Sequence, residues 1–171
     1  MNTASSHPPN KFNPNGPVAY FITFHTYGTW LHGDENGSVD KNDDNKPGTP
    51  VISPNPDLMK FKRLRMKYPP VTLTYKQRKS IDSTISNVSA YNNWKLHAVS
   101  ARTEHIHVVI SALKSPEAVM NSLKSWCTRK MREQGLWIHD NSPWSFHGST
   151  RYIWNEESLQ RVCNYVLYCQ D

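Results

Sequence analysis

The distribution of apolar and polar positions divides the chain into short periodic segments separated by polar stretches. Residues 1–16 (MNTASSHPPNKFNPNG) are rich in Asn, Pro and Ser and offer almost nothing to bury, which predicts a disordered N-terminal arm. From Val18 to Thr26 the chain is dense in β-branched and aromatic residues, the signature of a buried strand. Gly33 to Pro56 is polar, with many Gly, Pro, Asn and Asp, and predicts a long loop. Thr74-Tyr-Lys-Gln77 has the spacing of a capping box, and Ile81, Ile85 and Val88 follow on one face, so a helix is expected over about 74–92. Trp94–Ser100 and His105–Ala112 then read as strands joined tightly through Thr103-Glu104, which predicts an antiparallel hairpin.

Ser115-Pro116 supplies an N-cap and a first-turn proline for a second helix, and Gly135 ends it. Its expected apolar stripe is Val119, Leu123, Trp126, Cys127 and Met131, with Lys124, Arg129, Lys130 and Arg132 off the stripe. After a Trp-rich loop, Thr150–Trp154 reads as a short strand. Asn155 then caps a last helix with the stripe Leu159, Val162, Cys163 and Val166. Strand, helix, strand, strand, helix, strand, helix is the order of a ferredoxin-like split βαβ sandwich with one added C-terminal helix. The expected class is therefore α+β: an antiparallel sheet with helices on one face plus that last helix. Residues 17–171 are read as a single domain, with 33–73 as a polar and basic insertion.

Composition narrows the partners. Twenty Lys and Arg against 14 Asp and Glu give a formal net charge of +6, which suits a polyanion without requiring one. Cys127, Cys163 and Cys169 have neither CxxC spacing nor an even count, so reduced thiols are expected. Neither a signal-like apolar core nor a membrane-spanning run is visible, and a cytoplasmic, nucleoid-associated location is the expectation.

His105-Ile106-His107 is the sharpest chemical feature. Side chains alternate along a strand, so both imidazoles face one way while Ile106, Val108 and Ile110 face the core. Two histidines so placed can hold one divalent metal, and they can equally be an exposed strand pair. Phosphodiester cleavage fits a metal held this way, with a tyrosine as nucleophile. The last helix offers Tyr165, at the edge of the apolar stripe, and Tyr168, facing solvent. Tyr165 is the better placed, although packing is the ordinary role of an aromatic on such a helix. His25, His97 and His147 read as structural. Trp30, Trp144 and Trp154 are candidates for stacking on unpaired bases, with Trp154 more naturally in the core. Arg63, Arg65 and Lys67, with Lys124, Arg129 and Arg151, are candidate nucleic-acid contacts, a solvated surface being the alternative.

Glu104 followed by His105-Ile-His107, with Tyr165-Val-Leu-Tyr-Cys-Gln170 on a C-terminal helix, resembles the single-tyrosine HUH endonucleases. More narrowly, the chain resembles the REP-associated tyrosine transposases and their insertion-sequence relatives. The likeness runs from about Val18 to Gln170 and includes Tyr27-Gly-Thr-Trp-Leu-His-Gly-Asp34, Leu123–Arg129 and Gly148–Trp154. It implies that His105 and His107 bind Mg²⁺ or Mn²⁺ and that Tyr165 forms a 5′-phosphotyrosine link to single-stranded DNA. It also implies a homodimer and recognition of DNA hairpins. The family usually places an oxygen ligand one turn after the tyrosine, but that position holds Cys169, a soft ligand poorly matched to Mg²⁺. Gln170 is taken as the third ligand on the supposition of an unwound last turn, with Glu104 and His97 in reserve. Two other readings are a host enzyme of the same chemistry acting on chromosomal repeats, and a non-catalytic nucleic-acid-binding module.

Overall fold

The computed structural model describes residues 16–29 and 55–169. The predicted arm and most of the loop from Gly33 to Pro56 lie outside that range, as do Trp30 and Gln170. The elements run β1 (Ala19–Thr26), α1 (Pro56–Leu64), α2 (Tyr75–Tyr91), β2 (Lys95–Ala101), β3 (His105–Ser111), α3 (Pro116–Glu133), β4 (Trp144–Ile153) and α4 (Glu156–Tyr168). The strands form one antiparallel sheet in the order β2-β3-β1-β4, which is the ferredoxin-like arrangement expected.

Strand parity sorts the core into two layers. Ile106, Val108 and Ile110 of β3 join Ile22 and Phe24 of β1 beneath α2 and α3, which contribute Ile81, Ile85, Leu123 and Met131. On the opposite face, Val109, Ala19, Ala98 and Ile153 meet Leu159 and Val166 of α4. The sheet is thus covered on both sides, α4 being the helix on the second face among the described residues. The predicted caps are all formed. Thr74 and Gln77 make a reciprocal capping box, Ser115 caps α3, Asn155 caps α4, and Gly135 follows the end of α3 with φ of 68°.

One element was not anticipated and three expectations are corrected. The basic insertion contains a nine-residue helix, α1, started by Asn55 and Pro56. It buries no residue, although Leu58, Phe61 and Leu64 recur along it at three-residue spacing, a signal the sequence reading passed over. β4 begins at Trp144, six residues before the predicted strand, because a register shift between Phe24 and Thr26 breaks the alternation a sequence reading relies on. Trp144 is buried edge-on against Phe24 with its indole N–H on the Lys124 carbonyl and the Thr128 hydroxyl, so it cannot stack on a base. Trp154, expected in the core, is exposed just past the strand end.

The stripe of α3 is also rotated from the expected one. Trp126 is partly exposed with the Arg129 guanidinium 4.7 Å over its ring, whereas Lys124 is buried. The Lys124 ammonium donates to the carbonyls of Ser145, Phe146 and His147 at 2.9, 3.4 and 3.1 Å. A cation committed to three carbonyls across the β4 irregularity is a clamp on that strand and is not presented to a phosphate.

Two outcomes test this packing. Ile106→Ala, which empties a fully buried site between the two histidines, should lower unfolding free energy by about 2–5 kcal/mol, read as a fall in the urea midpoint. Burial pushes the Lys124 ammonium down to about 8. The unfolded chain therefore binds more protons between pH 8 and the ordinary lysine range, and Lys124 adds stability as pH rises through that window. Urea titrations of the wild type minus Lys124→Met should show this rise, and a flat difference would contradict it.

Candidate active site

The site grows out of the pairing of β1 with β3. Their register sets Thr23 opposite His107 and His25 opposite His105, and parity turns all four toward the face that α4 covers. The backbone ahead of His105 is pinned at the Glu104 carbonyl, which accepts from the Thr26 N–H at 2.9 Å and from the Thr26 and Thr29 hydroxyls at 3.1 and 3.3 Å. This fixes where the histidine pair begins.

The His105 and His107 rings have centroids 4.7 Å apart. His107 is buried, and its Nδ1 lies 2.8 Å from the Thr23 hydroxyl. That contact fixes the ring plane, and with Nδ1 as the donor it would leave the Nε2 lone pair as the basic atom. Phe21 packs at 5.4 Å from the His107 ring and edge-on at 6.3 Å from Tyr165. Tyr165 itself lies 6.0 Å from His107, ring to ring, and is half-exposed. Tyr168 is directed to solvent, as its helical angle predicted. The structure thus brings Tyr165 together with His105 and His107.

His25 joins this cluster from the neighbouring strand, 5.8 Å from His105, ring to ring. Burial, helped by His105 and Lys124, depresses its imidazole to about 4, so it is neutral at physiological pH. Sequence reasoning gave it only a structural part and passed over Thr23 and Phe21 altogether. The available signal was parity: Thr23 and His25 are polar residues on one side of an otherwise apolar strand.

One reserve ligand, His97, is placed elsewhere. His97 Nε2 is 2.8 Å from Ser111 Oγ, which itself donates to the Val18 carbonyl. Ser111 is four positions beyond His107, roughly 13 Å along the strand. The last turn of α4 is closed, with the Tyr165 carbonyl accepting from the Cys169 N–H at 3.2 Å, so the helix is not unwound at the tyrosine as supposed. Exposed Cys169 caps it. Among the described residues, no group of three or more His, Cys, Asp or Glu side chains converges on a metal site. The two imidazoles nevertheless form a donor pair suited to Mn²⁺, and to Mg²⁺ if oxygen ligands complete the shell.

Of the predicted phosphate contacts, Arg63 and Arg65 lie at the end of α1, with Lys67 just beyond. Arg129 covers Trp126, and Arg151 is exposed on the edge strand β4.

A ferredoxin-like sheet whose central strands hold a histidine pair facing a tyrosine on a C-terminal helix has the layout of the single-tyrosine HUH class. The model of the family described as IS200-like transposase matches residues 64–167, well over half of the chain. The chain belongs to the IS200-like transposase family. Among solved structures it is similar to a REP-associated tyrosine transposase bound to a REP hairpin, at 12% identity with a TM-score of 0.49, covering 94% of this chain and 70% of that one. It is also similar to a candidate transposase from Deinococcus radiodurans R1, at 10% identity with a TM-score of 0.45, covering 97% and 95%. No curated protein matches the chain. No described helix is long and apolar enough to cross a membrane.

The Thr23 contact has a measurable consequence. In ¹⁵N-labelled protein, His107 should show one dominant imidazole tautomer in the wild type and in Thr23→Ser. Thr23→Val should give a mixed population, and an unchanged pattern in that variant would remove Thr23 from its orienting role.

Proposed function

We propose that this transposase-family chain is a metal-dependent endonuclease and strand transferase acting on single-stranded DNA at or near hairpins, through a 5′-phosphotyrosine intermediate at Tyr165. The observation that carries the reading is the approach of the Tyr165 ring to His107 on the face of the sheet where His105 also lies. His105 and His107 would hold Mg²⁺ or Mn²⁺, with Gln170 as the proposed oxygen ligand. A bound divalent ion supplies polarisation of a non-bridging phosphate oxygen and offsets the charge that builds during in-line attack.

The remaining work belongs to the side chains. Thr23 holds the His107 ring in one orientation, and Phe21 packs against both His107 and Tyr165 so that the tyrosine ring is supported from the sheet. Tyr165 Oη attacks the phosphorus and loses its proton. The P–O3′ bond breaks, and the departing 3′ oxygen takes up a proton to become a free hydroxyl. A 3′-hydroxyl attacking the phosphotyrosine link runs the same bond changes backwards, so the energy of the broken linkage is retained for rejoining. Arg63, Arg65, Lys67, Arg129 and Arg151 are the proposed phosphate contacts. The reading includes a homodimer acting on DNA in the cytoplasm, in association with the nucleoid.

Labelled single-stranded oligonucleotides copied from DNA flanking the gene, with Mg²⁺ or Mn²⁺, should transfer label to the protein band on a denaturing gel. Tyr165→Phe should abolish the band and Tyr168→Phe should leave it. Label lost with Tyr168→Phe instead would move the nucleophile. Binding without adduct or cleavage across several hairpins would favour a non-catalytic nucleic-acid-binding module.

A further inference from the structure

Beyond the end of the sheet that carries His25 and His105, the surface opens into a cleft of about 420 Å³, within the range of small-ligand pockets. Its walls include Tyr27 from the turn after β1, Lys62, Arg65 and Met66 from the end of α1, and Ser145 and Phe146 from the start of β4. Tyr27 lies two residues past His25, roughly 7 Å along the chain.

Three properties of this cleft point to a ligand. Phe146 is 87% exposed, on a strand whose other large aromatic at that end, Trp144, is buried. An aromatic ring left in water on a rigid element is a ready stacking platform. Next, Lys62 and Arg65 stand three apart on one helical face and bring two positive charges to the same opening. Last, the walls are held in place before anything binds. The backbone carbonyls of Ser145, Phe146 and His147 are gathered by Lys124, and the Ser145 hydroxyl donates to the Thr26 carbonyl at 2.8 Å. The opposite wall is tied through Tyr27, whose hydroxyl accepts from the Lys67 N–H and whose carbonyl accepts from the Val71 N–H.

We infer that this cleft is a subsite for one unpaired nucleotide of single-stranded DNA, its base stacked on Phe146 and its phosphate met by Lys62 and Arg65. The inference rests on the single-stranded DNA reading above and adds a named recognition position at the end of the sheet where the starts of β4 and of the turn after β1 meet α1. Base stacking combined with backbone charge suits a single strand, because a duplex keeps its base faces covered.

The test is fluorescence anisotropy of the full chain with a labelled fifteen-residue thymidine oligonucleotide in chelator, which separates binding from cleavage. Phe146→Ala should weaken binding by about tenfold, and Phe146→Trp should bind like the wild type. On an abasic oligonucleotide of the same length, Phe146→Ala and the wild type should bind alike. Lys62→Gln combined with Arg65→Gln should weaken both ligands and flatten the salt dependence, its logarithmic slope falling by about 0.7 for each phosphate no longer neutralised. An unchanged thermal midpoint in Phe146→Ala confirms that folding is intact. The inference is overturned if Phe146→Ala binds the thymidine strand as tightly as the wild type, if it loses the abasic strand equally, or if the wild type binds neither. The Tyr165 adduct is scored separately. An adduct with no Phe146 effect removes the subsite alone, and a Phe146 effect without an adduct removes the chemistry alone.

Discussion

A strand covered on both faces has no solvent side on which to leave polar residues, and β3 is such a strand. Ile106, Val108 and Ile110 fill the layer under α2 and α3, while Val109 meets α4. Each fully buried aliphatic side chain contributes about 1.5–3 kcal/mol, so a one-residue slip that exchanged the faces would cost far more than any local adjustment could return. The histidines are therefore held on the α4 face by the hydrophobic residues between and beyond them. Their placement is a consequence of core packing, and it comes with partial desolvation, since His107 is buried.

β1 transmits the same constraint sideways. Because it pairs with β3 in register, its polar pair Thr23 and His25 falls beside His107 and His105, and Phe21 packs against both His107 and Tyr165. β1 also pairs with β4 on its other edge, where the register shift near Phe24 would leave carbonyls poorly matched. Lys124 resolves this from below by donating to three of them, at the cost of burying an ammonium. One central strand thus couples the histidine face to the cleft near Phe146 through continuous backbone.

Sequence pattern revealed most of this fold because the relevant signals are local. The Thr74–Gln77 capping box, Ser115-Pro116, Gly135 and Asn155 each mark an end by satisfying particular backbone groups, and each works as its spacing says. The histidine pair and the choice of Tyr165 over Tyr168 follow from the strand and helix periods. What stayed hidden depends on pairing between segments far apart in sequence. Thr23 acquires meaning only when β1 is known to lie beside β3, 84 residues away. The burial of Lys124 and Trp144 depends on the β4 irregularity and so left no amphipathic trace, whereas the apolar spacing of α1 was there to be read.

The position of Tyr165 sets a final electrostatic requirement. It lies in the last turn of α4, where the unpaired carbonyls make the helix end negative, and no basic residue occupies that turn. In the proposed reaction a phenolate attacking a phosphate would build negative charge at the least favourable end of the helix. Compensation must come from across the gap, and the side chains facing Tyr165 there are Phe21 and His107, neither of them a permanent cation. An imidazole pair can bring positive charge by binding a cation, so a metal ion at His105 and His107, as proposed above, would balance the charge built at that helix end.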